Sequence, residues 1–334
     1  MDFLPDPDQQ ALADATRDFI VHRFPLNDCP VRLDDVHWKE IAELGWLGLA
    51  TDENAGGTDA TLVDEAFVFR EIGRGLVPGP ILTTLAAARL AAWTGEPELA
   101  AELIGGRTRV ARALPATAAG ERLLITDAPG SALTLIVGEA TAALYATPID
   151  LDLSPGLEDG TVLGRARTEE LGAPVLGTED AEIVARLRRV LAILTCAQLA
   201  GITGATRDLA IEYAKDRVQF GKPIGAFQAI KHRCADMAVA ALAAENVMFF
   251  AALTESTTTT GSEYHVLAAA AFCRRAALAT VRANVQIHGA LGFTVEDSAH
   301  RFVKRTHALC SVESFGRAAT RLGTLAHPNA SEEL

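Results

Sequence analysis

The chain lacks a disulfide framework. Its five cysteines, Cys29, Cys196, Cys234, Cys273 and Cys310, are scattered, with no Cys-x-x-Cys pair and no metal-ligand spacing. An odd, dispersed set reads as free buried thiols in a reducing, cytoplasmic compartment. Positive charge is also scarce. Thirty Lys and Arg stand against 43 Asp and Glu, for a net charge of −13. Nucleic acid is therefore excluded as the main partner, because phosphate binding needs a basic surface. Long apolar runs are missing too. The longest uncharged stretch, Val190 to Thr206, carries Gln198, Gly201, Gly204 and three threonines. It is short for a membrane span and suits a helix buried inside a bundle. The N-terminus, MDFLPDPDQQ, is acidic and proline-bearing and does not read as a signal peptide. Tryptophan stops early, at Trp38, Trp46 and Trp93.

What is present suits a globular protein of one large or two to three small domains: 334 residues, 49% hydrophobic and 22% charged. Residues 1–106 read as an N-terminal helical domain. Asp8 to Phe24 has apolar residues at helical spacing; Asp34 or Asp35 caps a second helix; Thr61 to Ile72 and Ile81 to Thr94 follow. Residues 107–176 change character. Val110–Leu114, Leu123–Thr126, Leu133–Val137, Ala142–Ala146 and Thr161–Leu163 are short β-prone runs between turn-rich stretches, and predict a small antiparallel β domain. Residues 177–334 return to helix, with Thr178 as N-cap. The helices expected there are roughly 180–215, 226–254, 262–288, 295–308 and 315–325. Gly201 and Gly204 inside the first suit a close approach of another backbone.

Between the first two bundle helices lies DRVQFGKPIGAFQAIKHRCADM, Asp216 to Met237. Gly221, Pro223 and Gly225 force a turn. Arg217, Gln219 and Phe220 sit at its mouth. A guanidinium grips pyrophosphate bidentately and an aromatic face lies beside a ring, so the turn suits an anionic, planar ligand. The plainer reading is a polar turn with a solvated arginine. The whole string closely resembles the signature of acyl-CoA dehydrogenases, the flavoproteins that desaturate acyl-CoA thioesters between Cα and Cβ. The N-terminal half, with REIGRGLVPGP, resembles the same family in order and spacing.

That resemblance implies a mostly α fold: an N-terminal helical domain, a short, truncated antiparallel β domain and a C-terminal bundle. It implies FAD as cofactor and an acyl-CoA as substrate. A second motif, Gln286-Ile287-His288-Gly289-Ala290-Leu291-Gly292-Phe293, resembles the family's Q-I-x-G-G-x-G-[FY] loop, with Ala290 in place of the second glycine. In the family this loop and the arginine turn reach across a subunit interface to a neighbour's FAD. By resemblance, Arg217, Gln219, Phe220, Phe227, Gln228, Gln286 and Gly289 become the cofactor-binding candidates. The same reach forward from Gln286 as in the family lands on Glu313, the candidate catalytic base; an ordinary helix-start glutamate is the alternative. The other family position for the base is Leu191, which cannot serve. Two stretches that grip the flavin ring in the family, T-E-P-x-x-G-S-D and a tryptophan hairpin, are missing. Ala113 to Thr117 and Leu124 to Asp127 are at best their remnants. One kind of chain fits both halves: a β-domain-truncated subunit of a heteromeric acyl-CoA dehydrogenase of the actinobacterial steroid-CoA type. It would pair in a heterotetramer with a related subunit and pass electrons to an electron-transfer flavoprotein. A self-sufficient homo-oligomer and a flavin-free assembly partner are the other two readings.

Overall fold

The computed structural model describes residues 5–26, 32–116, 121–257, 261–313 and 315–325. Its helices before the sheet are α1 (Pro7–Arg23), α2 (Asp35–Glu43), α3 (Leu62–Arg74), α4 (Ile81–Trp93) and α5 (Pro97–Ile104). The strands β1 (Val110–Pro115), β2 (Arg122–Thr126), β3 (Leu133–Val137), β4 (Ala142–Ala146), β5 (Asp152–Pro155), β6 (Val162–Arg167) and β7 (Leu176–Thr178) follow. Then come α6 (Ala181–Asp216), the small strands β8 (Val218–Gln219) and β9 (Lys222–Pro223), α7 (Gln228–Thr257), α8 (Ser262–His288), α9 (Ala299–Val312) and α10 (Ala318–Leu322). The chain forms two compact units interleaved along the sequence. One holds residues 30–65 and 78–191, the other residues 1–29, 66–77 and 192–334.

The first unit is built on a seven-stranded sheet of order β5-β6-β2-β1-β3-β4-β7. It corrects the expectation of an antiparallel domain. β1 pairs antiparallel with β2 but parallel with β3, in register from Val110↔Leu133 to Ala113↔Ile136. The cause is geometric. Each turn reverses the chain, so β3, two reversals after β1, runs with it when it joins β1's free edge. Local periodicity carries no information about which edge a strand joins.

Apolar side chains cover both faces of this sheet, so β1 does not alternate. Val110, Leu135 and Leu144 pack with Ala86 and Leu90 of α4, Leu103 of α5 and Val184, Leu187 and Leu191 of α6. Ala111, Ala113, Ile125, Ala166 and Leu171 make the opposite cluster. Each fully buried Leu or Ile contributes about 1.5–3 kcal/mol. α6 is capped by Asp180, whose carboxylate accepts the N–H of Glu182 (2.9 Å) and Ile183 (3.2 Å). The expected cap, Thr178, instead ends β7 and accepts the N–H of Asp180.

The second unit is helical. α3 and α6 meet backbone to backbone there. A Cβ at Gly201 would lie 1.9 Å from the carbonyl oxygen of Arg70, and one at Gly73 would lie 2.1 Å from that of Gln198. This is the close approach the α6 glycines suggest. Glu71, 1% exposed, accepts from Arg17 Nε (2.9 Å), Arg17 Nη2 (3.1 Å) and Arg70 Nε (2.9 Å). Arg74 joins α3 to Asp208 of α6 at 2.8 Å. Among the described residues α7 alone is long and apolar enough to cross a membrane by composition. Met237, Ala241, Ala244 and Met248 bury one face of it.

Candidate functional site

The two family-like loops meet at one end of the helical unit. α6 runs into the β8–β9 hairpin, where Val218 faces Pro223 and Gln219 faces Lys222. Phe220 and Gly221 form its two-residue turn, with φ of 53° and 76°. Positive φ at both central positions is type I′ geometry, which favours Asn-Gly. A phenylalanine held there is strained. Its ring is 90% exposed. Arg217, Gln219 and Gln228 are exposed as well. Phe227, half-buried, meets Phe220 edge-on at 6.1 Å, and Lys222 Nζ lies 4.4 Å above its ring. Gly225 is needed for packing: a Cβ would lie 2.9 Å from the carbonyl oxygen of Ala214.

Behind the hairpin, Ala210 and Ala214 of α6, Met237 of α7 and Ile287 of α8 form one buried cluster, flanked by Tyr213, Ile224, Ile230 and Ala283. Ile287 belongs to the second loop, so the cluster ties the two motifs together. α8 ends at Gly289, whose φ of 64° turns the chain into the short 3-10 segment Gly289–Phe293. No heavy atom beyond its chain neighbours lies within 4 Å of a Cβ built on Gly289, whereas one on Gly292 would lie 2.9 Å from the carbonyl oxygen of Val285. Gln286 is exposed, and Phe293 is 78% exposed.

Glu313 stands elsewhere. It is the C-cap of α9, its N–H donating to Leu309 O at 3.5 Å, and it is half-buried. The structure thus corrects the helix-start alternative. α9 has 14 residues, so its ends lie about 21 Å apart at 1.5 Å per residue. At the loop end of α9 the Asp297 carboxylate, one residue before the N-cap Ser298, accepts the N–H of Ala299 at 2.7 Å. Glu313 shares its surroundings with thiols. Cys310 lies one turn before it and is 9% exposed; Cys196 and Cys273 are fully buried. Burial pushes the Cys310 thiol up to about 11, against the opposing pull of Arg274. Burial, then Cys273, Cys310 and Glu313, push the Cys196 thiol well up.

The comparisons with known proteins agree with this architecture. The model of the acyl-CoA dehydrogenase N-terminal domain matches residues 6–107, and that of the acyl-CoA dehydrogenase C-terminal domain matches residues 189–313. The chain is 34% identical over 283 residues to acyl-CoA dehydrogenase IpdE2 of Mycobacterium tuberculosis, covering 82% of this chain and 81% of that one. The chain belongs to the acyl-CoA dehydrogenase family. It is also 32% identical over 282 residues to acyl-CoA dehydrogenase FadE34 of the same organism, covering 80% of this chain but only 39% of that longer protein. Among solved structures, a chain of the ChsE4-ChsE5 complex from Mycobacterium tuberculosis superimposes with a TM-score of 0.81, at 20% identity, over 97% of this chain and 98% of that one. At that identity it shows the fold alone.

Acyl-CoA dehydrogenases are flavoproteins whose cofactor is FAD. The loop end has the chemistry for part of that molecule: one guanidinium, three primary amides, exposed aromatic faces, and a glycine with open space where a Cβ would stand. The segments standing where the family grips the flavin ring are different. Ala113 and Ile125 are 2% and 0% exposed, committed to the packing between strands. Thr117 lies outside the described residues. Reading the sequence residue by residue missed Tyr213, Asn284, His288 and Asp297. Tyr213 stacks on His288 at 4.2 Å, and His288 Nε2 is 3.8 Å from the Asp297 carboxylate. Asn284 is fully buried, and neither side-chain polar atom has a hydrogen-bond partner among the described residues. His288 fills the variable place of the loop motif, which is a signal of position but not of role.

Proposed function

We propose that the chain is a subunit of an FAD-dependent acyl-CoA dehydrogenase, and that its loop end completes the cofactor site of a related partner subunit. One observation carries this reading. Arg217, Gln219, Gln228 and Gln286 are all exposed, with Phe220 and Phe293 at 90% and 78%, around loops that a common apolar cluster fixes. A ring 90% exposed on a strained turn, edge-on to Phe227, buries little area of its own. A ligand or a second chain placed over it buries the rest.

In that assembly Arg217 holds the pyrophosphate through paired N–H donors. Gln219, Gln228 and Gln286 offer amides to ribose and adenine, and Gly289 lets the backbone come close. Phe220 and Phe227 border the adenosine end. Bound FAD supplies the acceptor for the hydride leaving the β-carbon. Glu313, at the far end of α9, takes the α-proton. Its distance from the loops suits two distinct cofactor sites in one assembly, one served by each end. The substrate is an acyl-CoA thioester of the bulky, steroid side-chain class. The substrate class rests on the resemblance of the sequence to the actinobacterial steroid-CoA type, and a chain of a two-component complex shares the fold. Electron-transfer flavoprotein is the electron acceptor, and a reducing cytoplasm the setting.

Two variants test the assignment. The chain is co-expressed with a related dehydrogenase chain and the complex purified. Arg217→Ala is expected to cost about 2–3 kcal/mol of cofactor binding, roughly a hundredfold in affinity, as for a lost charge-assisted hydrogen bond. Flavin retained at wild-type affinity rejects the shared site. Glu313→Gln is expected to keep flavin and lower turnover about 10²–10⁴-fold, as for removal of a general base. Unchanged turnover assigns the base to the partner.

A further inference from the structure

We propose that Tyr213 and His288 form a latch that sets the two cofactor loops relative to one another, as positioning residues. The inference rests on the reading that both loops serve one cofactor. Tyr213 lies one turn before Arg217, and its carbonyl accepts the Arg217 N–H at 2.9 Å. Its ring stacks on the His288 imidazole with centroids 4.2 Å apart and 26° between planes. Its hydroxyl donates to the His288 carbonyl at 3.4 Å. Tyr213 thus stands where α6 makes its last backbone bond before the hairpin, and its side chain holds the last carbonyl before the second loop.

His288 is placed to receive that contact. It is 8% exposed, and Nδ1 donates to the Asn284 carbonyl at 2.9 Å. That bond fixes the ring plane against α8 and turns Nε2 toward Asp297, whose carboxylate accepts the first N–H of α9. Gly289 follows directly, in the left-handed region. The direction in which the Gly289–Phe293 turn leaves α8 is therefore set by the peptide that Tyr213 binds. On the hairpin side, the Arg217 carbonyl accepts the Ile224 N–H at 2.8 Å, so the same anchor closes the hairpin. A tyrosine and a histidine that merely filled space would leave these junctions to the apolar cluster. Here the Tyr213 hydroxyl goes to the carbonyl at the junction itself, and His288 Nδ1 ties the stacked ring back to α8.

Amide hydrogen exchange on the full chain tests the latch without any cofactor. Tyr213→Phe keeps the ring and removes the hydroxyl. His288→Leu removes the stack, and His288→Phe restores it. We expect His288→Leu to speed exchange at Arg217 and Ile224 by about tenfold, and Tyr213→Phe to speed it at Gly289–Thr294, with α1 unchanged in both. His288→Phe is expected to restore slow exchange at Arg217 and Ile224. The double variant is expected to be no worse than the stronger single one, as for two residues acting as a unit. Disturbance confined to each variant's own loop overturns the latch, as do simple additivity and a general rise through α1. The cofactor arm is separate. If exchange behaves as expected while Arg217→Ala leaves flavin bound, the latch stands and the shared cofactor site falls. If flavin binding needs Arg217 but the loops exchange independently, the cofactor reading stands and the latch falls.

Discussion

The loop end of the helical unit and the sheet of the other unit spend their side chains in opposite ways. On the sheet, β1 has Val110 and Ala111 fully buried on opposite faces, and Ile125, Leu135 and Leu144 are fully buried as well. These strands put side chains into packing. At the loops, the aromatic and polar groups stand in solvent, and the backbone bears the strain of Phe220 at φ 53°. Exposed functional groups on a fixed support are what binding sites retain. Filled strands are what stability retains. The difference separates the part of the chain proposed as a site from the part that holds a fold.

Breaking the comparison at its stable side carries the largest expected effect. Glu65 and Arg89 are 0% and 3% exposed, paired at 2.6 Å. The other Glu65 oxygen accepts the Ala50 N–H at 2.8 Å, and Arg89 also donates to the Ala50 carbonyl at 3.2 Å. Glu65→Ala leaves a buried guanidinium without its counter-charge, so about 3–5 kcal/mol of stability should be lost. Urea unfolding monitored by circular dichroism measures it. Arg217→Ala, at an exposed position, should leave the same midpoint unchanged. If both variants shift it equally, the division between site and fold is wrong.

Most helices were legible because their signals are local. Asp34 caps α2 by accepting the His37 N–H at 2.8 Å, as the sequence suggests. α8 spans Ser262–His288, as its apolar pattern indicates. Short elements with mixed signals were lost. α5 begins at Pro97 and ends at Ile104, just before Gly105, a readable pair of signals for an eight-residue helix that the sequence analysis leaves out. β5, Asp152–Pro155, has poor β propensity and owes its form to pairing with β6. Sheet order and the Tyr213–His288 contact join residues far apart in sequence, so no window along the chain contains them. In the candidate site the motif strings marked the two loops. The strain at Phe220 is not legible in the sequence, since glycine and proline alone account for a turn there.

That strain sharpens the comparison from the other side. Asparagine takes positive φ far more readily than phenylalanine and is favoured in type I′ turns. Phe220→Asn should raise stability by about 1 kcal/mol while weakening flavin retention in the assembly. The urea midpoint and the flavin content are read on the same preparation. A fall in stability shows that the edge contact with Phe227 outweighs the strain, and the exposed-site reading then loses its main support.

The smallest effect separates the two regions by chemistry. Cys234 flanks the loop cluster and is half-buried, whereas Cys196, Cys273 and Cys310 lie inside the bundle. Burial raises the Cys234 thiol, but Arg233 opposes the shift. At Cys310, held at about 11, the thiolate fraction at pH 8 is about one in a thousand. Thiolate is the reactive form, so alkylation should reach Cys234 first, Cys310 slowly, and Cys196 only on unfolding. Iodoacetamide labelling at pH 8, read by peptide mass spectrometry, gives the order among these cysteines. Raising the pH through 11 should speed Cys310 steeply, since its thiolate grows tenfold per pH unit below that value. Fast labelling of Cys310 at pH 8 places solvent beside Glu313. That end of α9 then counts as open site, not interior.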